Sequence, residues 1–429
     1  MVFCMPIGAS RLGHISFGSM CHSEARLGLL GLLGLLGCRS PGPAPTPRPR
    51  PEPEDSAEGG SSPLPTDQAS REKLACLRAL IDEPQPAPRF HPLLRALCSE
   101  WINAEIPGVA LAVVEDGVLV LHAERGVTCL GQDAPIDAST SFRLGSISKT
   151  FTAALLMGQI QSEAGSPAGL SLAFDPAGLP GVVWPEGLEH TQLGALLRHR
   201  SGLTELDPQI LVDDGGQWRR ALRAGPSGPG EYSYVNANYV LAGAVLEHHM
   251  GTTYDLLLRT RIGPPLALGS LEADPARALE KGAACGHLHE GAKLEPIPVT
   301  EDLAFMPGDP SWLQPAGGVL ASAEDLARFA LALGTPMVPG SDPMLEPGEP
   351  VPDSNRDERY GLGLRSWMVS TKTGLPVRLF GHSGDNGIFH AELLFTPGER
   401  AVVVLGNAGA PMPATRAAAE HLLAESARP

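Results

Sequence analysis

The sequence predicts an α+β fold: one antiparallel sheet of about five strands, assembled from both ends of the folded part and flanked by helices, with a mostly helical second lobe. Compact apolar runs bounded by turn signals gather near residues 109–121 and again over 377–405, while the stretch between them is helical and loop-rich. With 43% hydrophobic residues, the 429-residue chain can bury a sizeable core. The net charge of −16 repels phosphate backbones and anionic lipid surfaces, so nucleic acid is excluded as a partner. None of the seven cysteines (4, 21, 38, 76, 98, 129, 285) lies within four residues of another, which excludes C-x-x-C redox, zinc-ribbon and iron–sulfur sites. No cofactor and no metal are expected.

At the N-terminus, Arg26 precedes ten residues, 27–36, made only of leucine and glycine. That is the length of a signal-peptide apolar region and too short to span a bilayer. A buried helix is a poor reading, because each interior glycine costs roughly 0.8–1 kcal/mol. The stretch closes on Leu35-Leu36-Gly37-Cys38, which resembles a bacterial lipobox, whose cysteine becomes the lipidated first residue of the mature protein. That resemblance implies export and a lipid anchor on Cys38, with the folded part in the periplasm or cell envelope. Met20 is an alternative start to Met1. Prolines then occupy every second position from 41 to 53, and the chain to about residue 70 is rich in Pro, Ser, Gly and Glu, a composition that extends and does not pack. The organisation is therefore a leader over 1–38, a tether over 39–70 and a folded domain over 71–429, with a helical insertion at roughly 150–315.

The folded domain begins with two short helical stretches ending near Trp101. Residues 109–114 form a strand, Asp116-Gly117 a hairpin turn, and 118–121 a second strand. Three more strands are expected over 377–380, 391–395 and 402–405, with Pro397-Gly398 turning the last pair and a helix starting near Ala414. Cys76, Cys98, Cys129 and Cys285 remain beyond Cys38, an even number that an oxidising compartment can pair, and the pairing stays open.

Chemistry concentrates in three short motifs. Ser146-Ile147-Ser148-Lys149 opens a helix expected to be amphipathic, with Ile147, Phe151, Ala154 and Leu155 on its apolar face. Residues three apart share a helix face, so the Lys149 ammonium can hold the Ser146 hydroxyl, and a helix N-terminus offers N–H groups to an oxyanion. With only five lysines against 27 arginines, a lysine at that spacing is informative. Tyr234-Val235-Asn236 follows, and later His382-Ser383-Gly384 lies on an expected strand, where glycine lets a substrate backbone approach. Free tyrosine and lysine titrate near about 10, so Lys149 and Tyr234 are read as one coupled base, each depressing the other.

In this order the motifs resemble the serine β-lactamase and penicillin-binding-protein superfamily, in the branch whose second motif is Y-x-N, over residues 107–408. The segments around His199-Arg200-Ser201-Gly202-Leu203 and Gly317-Gly318-Val319 are also similar to that family. The resemblance implies a β-lactamase/transpeptidase-like fold and a serine hydrolase that forms an acyl-enzyme on a small ester or amide, or on a peptidoglycan-like peptide. It implies Ser146 as nucleophile, Lys149 and Tyr234 as proton carriers, and Asn236, His382, Ser383 and Gly384 as substrate contacts. The backbone N–H groups of Ser146 and Asp385 would form the oxyanion hole. A non-turnover penicillin-recognising protein of the same fold is the alternative. Class C β-lactamases have Lys-Thr-Gly where this chain has His382-Ser383-Gly384, and a mostly neutral imidazole would hold a substrate carboxylate less firmly. The literal Lys372-Thr373-Gly374 is expected to be a turn before the strand.

Two histidine pairs are read as non-ligating. His287-Leu288-His289-Glu290 lacks a third ligand nearby and is expected to be an exposed strand and turn. His248-His249 ends a helix before Gly251, where a cation complements the helix dipole.

Overall fold

A computed structural model describes residues 68–81, 85–164, 178–206, 218–290, 293–303, 310–354 and 356–426. The chain divides into two units, Met1–Gly60 and Ser61–Pro429, and every described residue belongs to the second. The leader, Cys38 and nearly all of the tether lie outside the described residues. The first helix takes in residues 68–70, which the sequence reading assigned to the tether.

Helices α1 (Gln68–Ile81) and α2 (His91–Asn103) come first, followed by strands β1 (Gly108–Glu115) and β2 (Val118–Gly126). Asp116 (φ 47°) and Gly117 (φ 78°) are both left-handed, the geometry of a two-residue hairpin turn. The short strand β3 (Phe142–Arg143) leads into α3 (Ser148–Ala164), and α4 (Ala237–Met250) follows later in the lobe. Next come the hairpin β4 (Gly286–Glu290) and β5 (Lys293–Ile297), then β6 (Leu320–Ala321) and α5 (Ala323–Ala332). The chain finishes with β7 (Glu349–Pro350), β8 (Arg359–Tyr360), β9 (Arg365–Ser370), β10 (Pro376–Asp385), β11 (His390–Thr396), β12 (Arg400–Gly406) and α6 (Pro413–Ser426).

The main sheet runs β2-β1-β12-β11-β10-β9-β8-β7 and holds eight strands where the sequence suggested about five. The five expected strands are present and joined as expected: β1 pairs antiparallel with β12 from Val109↔Gly406 to Glu115↔Arg400. The additional strands at the far edge include two of only two residues, too short to show any periodicity.

Both faces of the sheet are covered, which is why its strands read as continuous apolar runs. On one face Val109, Leu111 and Val113 of β1 pack with Val402 and Val404 of β12, beneath α1, α2 and α6. On the other, Ala110, Ala112 and Val114 join Val403, Leu405, Leu393 and the helical lobe.

Disulfides pair Cys76 with Cys98, tying α1 to α2, and Cys129 with Cys285, tying the segment after β2 to the start of β4. The α3 helix is not amphipathic. Ile147, Phe151, Ala154 and Leu155 are buried, but so are Ser148, Lys149, Thr150, Thr152, Ala153, Leu156 and Met157, because the sheet and the lobe enclose the helix between them. His287 also departs from expectation: it is fully buried beside the Cys129–Cys285 disulfide, accepting from the Leu130 N–H at 3.1 Å and donating to the Asn407 carbonyl at 2.7 Å. His289 is exposed as expected. His248 and His249 end α4, with Gly251 at its left-handed cap.

Candidate active site

Ser146 lies in the tight turn Gly145–Ile147 between β3 and α3, and remains partly open to solvent. The turn is pressed against β10. A Cβ on Gly384 would stand 1.9 Å from the Leu144 carbonyl oxygen and 3.2 Å from the Ser146 nitrogen, and one on Gly145 would stand 2.9 Å from the Asp385 nitrogen. Glycine on both sides permits this approach, which brings the backbone nitrogens of Ser146 and Asp385 close together.

One turn into α3, Lys149 is completely buried. Its Nζ lies 3.0 Å from Ser146 Oγ, 2.7 Å from Asn236 Oδ1 and 2.7 Å from the Ala316 carbonyl oxygen. The carbonyl is available because Gln314–Gly318 forms a wide helical turn against α3. Asn236 is fixed in turn by Glu205, whose carboxylate accepts from the Asn236 backbone N–H at 2.7 Å and from its amide at 3.2 Å.

Burial pulls the Lys149 pKa down to about 7; Glu205 opposes this and Arg365 adds to it. Burial likewise raises the Glu205 carboxyl, against its hydrogen bonds and Lys149. Tyr234 moves the other way. Burial pushes its phenol up to about 12, with the Ser146 hydroxyl and Arg365 pulling back. Its Oη is buried and has no hydrogen bond of normal geometry among the described residues. Lys149 and Tyr234 therefore do not depress one another as the sequence suggested. Desolvation disfavours the charged form of each, lowering an ammonium and raising a phenol, and the group that balances Lys149 is Glu205.

Behind Tyr234 stands an aromatic wall. The His199 ring centroid lies 4.2 Å from that of Tyr234, Tyr360 5.9 Å and His382 6.1 Å, and the Arg365 guanidinium sits 5.4 Å from the Tyr234 centroid. His382 is buried, with Nε2 3.1 Å from Tyr360 Oη and Nδ1 2.6 Å from the Ser383 carbonyl oxygen. Both ring nitrogens are thus engaged inside the protein, and neither faces a substrate as expected. Ser383 remains partly exposed on the same strand. Lys372 lies in the turn between β9 and β10, exposed and paired with Glu425 at 3.0 Å, away from these groups.

The fold thus unites Ser146, Lys149, Tyr234, Asn236, Gly384 and Asp385. Glu205, the Ala316 carbonyl, Tyr360 and Arg365 were not legible in the sequence. Glu205 lies two residues past the Ser201-Gly202-Leu203 segment, but nothing in that segment singles it out.

A family model described as Beta-lactamase matches residues 89–427. Penicillin-binding protein 4 of Amycolatopsis lactamdurans is 30% identical over 319 residues, covering 70% of this chain and 80% of that protein. The D-aminopeptidase of Brucella ovis is 31% identical over 183 residues, 41% of this chain and 35% of the relative. Among solved structures, a class C β-lactamase from Rhodobacter sphaeroides superposes with a TM-score of 0.61 at 24% identity, covering 77% of this chain and 98% of that one. The D-alanine carboxypeptidase AmpC from Burkholderia cenocepacia gives 0.59 at 23% identity, covering 78% and 98%. These structural likenesses show the fold. Since the family match spans almost the whole folded part and the sequence likeness extends over most of both chains, the chain belongs to the Beta-lactamase family and is a serine hydrolase.

Proposed function

We propose that Ser146 is the acylated nucleophile of this hydrolase, acting on a small uncharged ester or amide, and that lipid on Cys38 holds the protein to a bacterial membrane with its catalytic domain in the periplasm or cell envelope. The observation that carries the catalytic reading is the 3.0 Å contact between Ser146 Oγ and a fully buried lysine whose pKa is drawn to about 7. A neutral Lys149 keeps two protons for Asn236 and Ala316 and turns its lone pair to Ser146. It takes the serine proton as Oγ attacks the carbonyl, and the N–H groups of Ser146 and Asp385 receive the oxyanion. Tyr234, protonated at neutral pH, gives its proton to the leaving group and is reprotonated by Lys149; water then hydrolyses the ester at Ser146. Ser383, partly exposed on β10, is the member of the third motif open to a substrate, while Gly384 lets the Ser146 turn approach the strand and Asn236 orients Lys149.

Intact-mass analysis after exposure to a fluorophosphonate tests the assignment. The native protein gains one adduct and Ser146→Ala gains none while melting at a similar temperature; an adduct on Ser146→Ala overturns the reading. The relative named Penicillin-binding protein 4 supports a second reading, a protein that penicillin acylates and that turns it over slowly or not at all. Labelling with a fluorescent penicillin followed by a chase separates the two, since a hydrolase releases the label. Among the described residues no helix is long and apolar enough to cross a membrane.

A further inference from the structure

The wall behind Tyr234 is a hydrogen-bonded chain whose direction is set at both ends by backbone groups. At one end the Leu203 N–H donates to Ser201 Oγ at 3.1 Å, so the serine proton goes to Asn238 Oδ1 at 2.6 Å. The Asn238 amide nitrogen then lies 3.1 Å from His199 Nδ1, and the Val235 N–H lies 3.2 Å from the same atom. Two donors on Nδ1 make it an acceptor, so His199 carries its proton on Nε2, which lies 3.2 Å from Tyr360 Oη. At the other end His382 Nδ1 meets a carbonyl, Ser383 O, at 2.6 Å and must be a donor there. Its Nε2 is therefore an acceptor, and the Tyr360 proton points to it across 3.1 Å. Ser201, Asn238, His199, Tyr360 and His382 are each at most 3% exposed, so these contacts are sheltered from bulk solvent.

We infer that Tyr360 and His199 are positioning residues that lock His382 as a neutral Nδ1–H imidazole, so that the third motif presents no ring N–H and no positive charge to the substrate. The inference rests on the proposed role of the Ser146 site and deepens it, because it excludes carboxylate recognition by His382 and selects uncharged substrates. The groups facing the chain fit this role. Lys149, Arg365 and, beyond β10, Arg416 act on His382; Lys149, Arg365 and His382 act on His199. Burial first and then these cations hold both imidazoles well below the usual histidine range. Tyr232, Tyr234 and Tyr239 face the same space, Tyr239 giving its proton to the Leu197 carbonyl at 2.8 Å. With both imidazoles neutral, the cations facing this space are the Arg365 guanidinium, which is paired with Glu358, and Lys149 in its protonated form, which Glu205 balances.

Nitrogen-15 NMR of the full chain labelled at histidine reads the tautomers without any turnover, with assignments from His199→Gln and His382→Gln. The expected result is His199 protonated at Nε2, His382 at Nδ1, and neither titrating between about pH 5.5 and 8. A His382 protonated at Nε2, or one that titrates in that range, overturns the inference whatever the fate of the Ser146 assignment. In Tyr360→Phe, His382 loses its donor and is expected to show mixed tautomers, with fluorophosphonate acylation slowed about tenfold and an extra ionisation in its pH profile. If Tyr360→Phe is folded by thermal melting and leaves both the His382 tautomer and the pH profile unchanged, the chain is only structural. Should that variant fail to fold, the spectrum of the native protein decides alone.

Discussion

Lys149 shows how much one side chain's chemistry depends on what encloses it. The S-x-x-K spacing places its amine near Ser146, but only burial lowers its pKa to about 7 and makes it a base under ordinary conditions. Because the neutral amine is the active form, acylation should fall as pH drops through about 7, with unit slope in the logarithm of rate against pH. Stopped-flow labelling from pH 5 to 9 measures this; a limb near 10 would mean that Lys149 is not the base. Substrate preference is decided at the same scale. A charge-assisted hydrogen bond to a carboxylate contributes about 1.5–3 kcal/mol, and the neutral, internally bonded His382 does not offer one. A p-nitrophenyl ester should therefore exceed nitrocefin in kcat/KM by about tenfold or more. The reverse order would show that another cation, such as Arg365, takes the carboxylate.

Among the elements, the β10–β11 pair carries most of the site's precision. Gly384 pairs with Ala391 and Asp385 with His390 where β10 meets the Ser146 turn. His390 is buried on β11 with Nδ1 3.3 Å from Asp385 and Nε2 3.3 Å from Glu392, and Glu392 is itself held by Arg416 of α6 at 3.0 Å. Burial pushes the His390 pKa down, but the two carboxylates outweigh it and raise it to about 9. A raised histidine contributes stability that is complete below its unfolded value of 6.5 and is lost as pH rises through about 9. The contribution is about 3 kcal/mol. The difference in Tm between native protein and His390→Gln should thus be largest near pH 6 and shrink toward zero above pH 9. A difference constant across that range would remove the charge from this account. Elsewhere, Arg143 on β3 lies buried against Asp302 and donates to the carbonyls of Gly318 at 2.6 Å and Val299 at 2.8 Å. It thereby ties the strand before Ser146 to the turn that supplies Ala316. Neither contact was legible, because Asp302 and Val299 lie far from Arg143 in sequence and carry no motif of their own.

At the scale of the whole molecule, the sheet closes the chain on itself, with β1 beside β12 and Asn407 accepting from the Gly108 N–H at 2.6 Å. The first and last described helices, α1 and α6, pack into one cluster on the same face of this sheet. If Cys38 carries the anchor, Cys38→Ala should move the protein from the membrane to the soluble fraction on ultracentrifugation while leaving labelling of Ser146 intact. Unchanged fractionation would point to a different anchor. The sequence alone determined the sheet built from both ends, five of its strands, the hairpin at Asp116-Gly117 and the three motifs, because hydrophobic period, turn chemistry and short-range spacing are local properties. Tertiary structure alone decided the far-edge strands, the Cys129–Cys285 pairing, the burial of α3 on all sides and the protonation of the site. Those depend on which distant groups enclose a residue: Glu205, Ala316, Arg365 and Tyr360 reach Lys149, Tyr234 and His382 only after the chain has folded, and desolvation has no signature in a one-dimensional pattern.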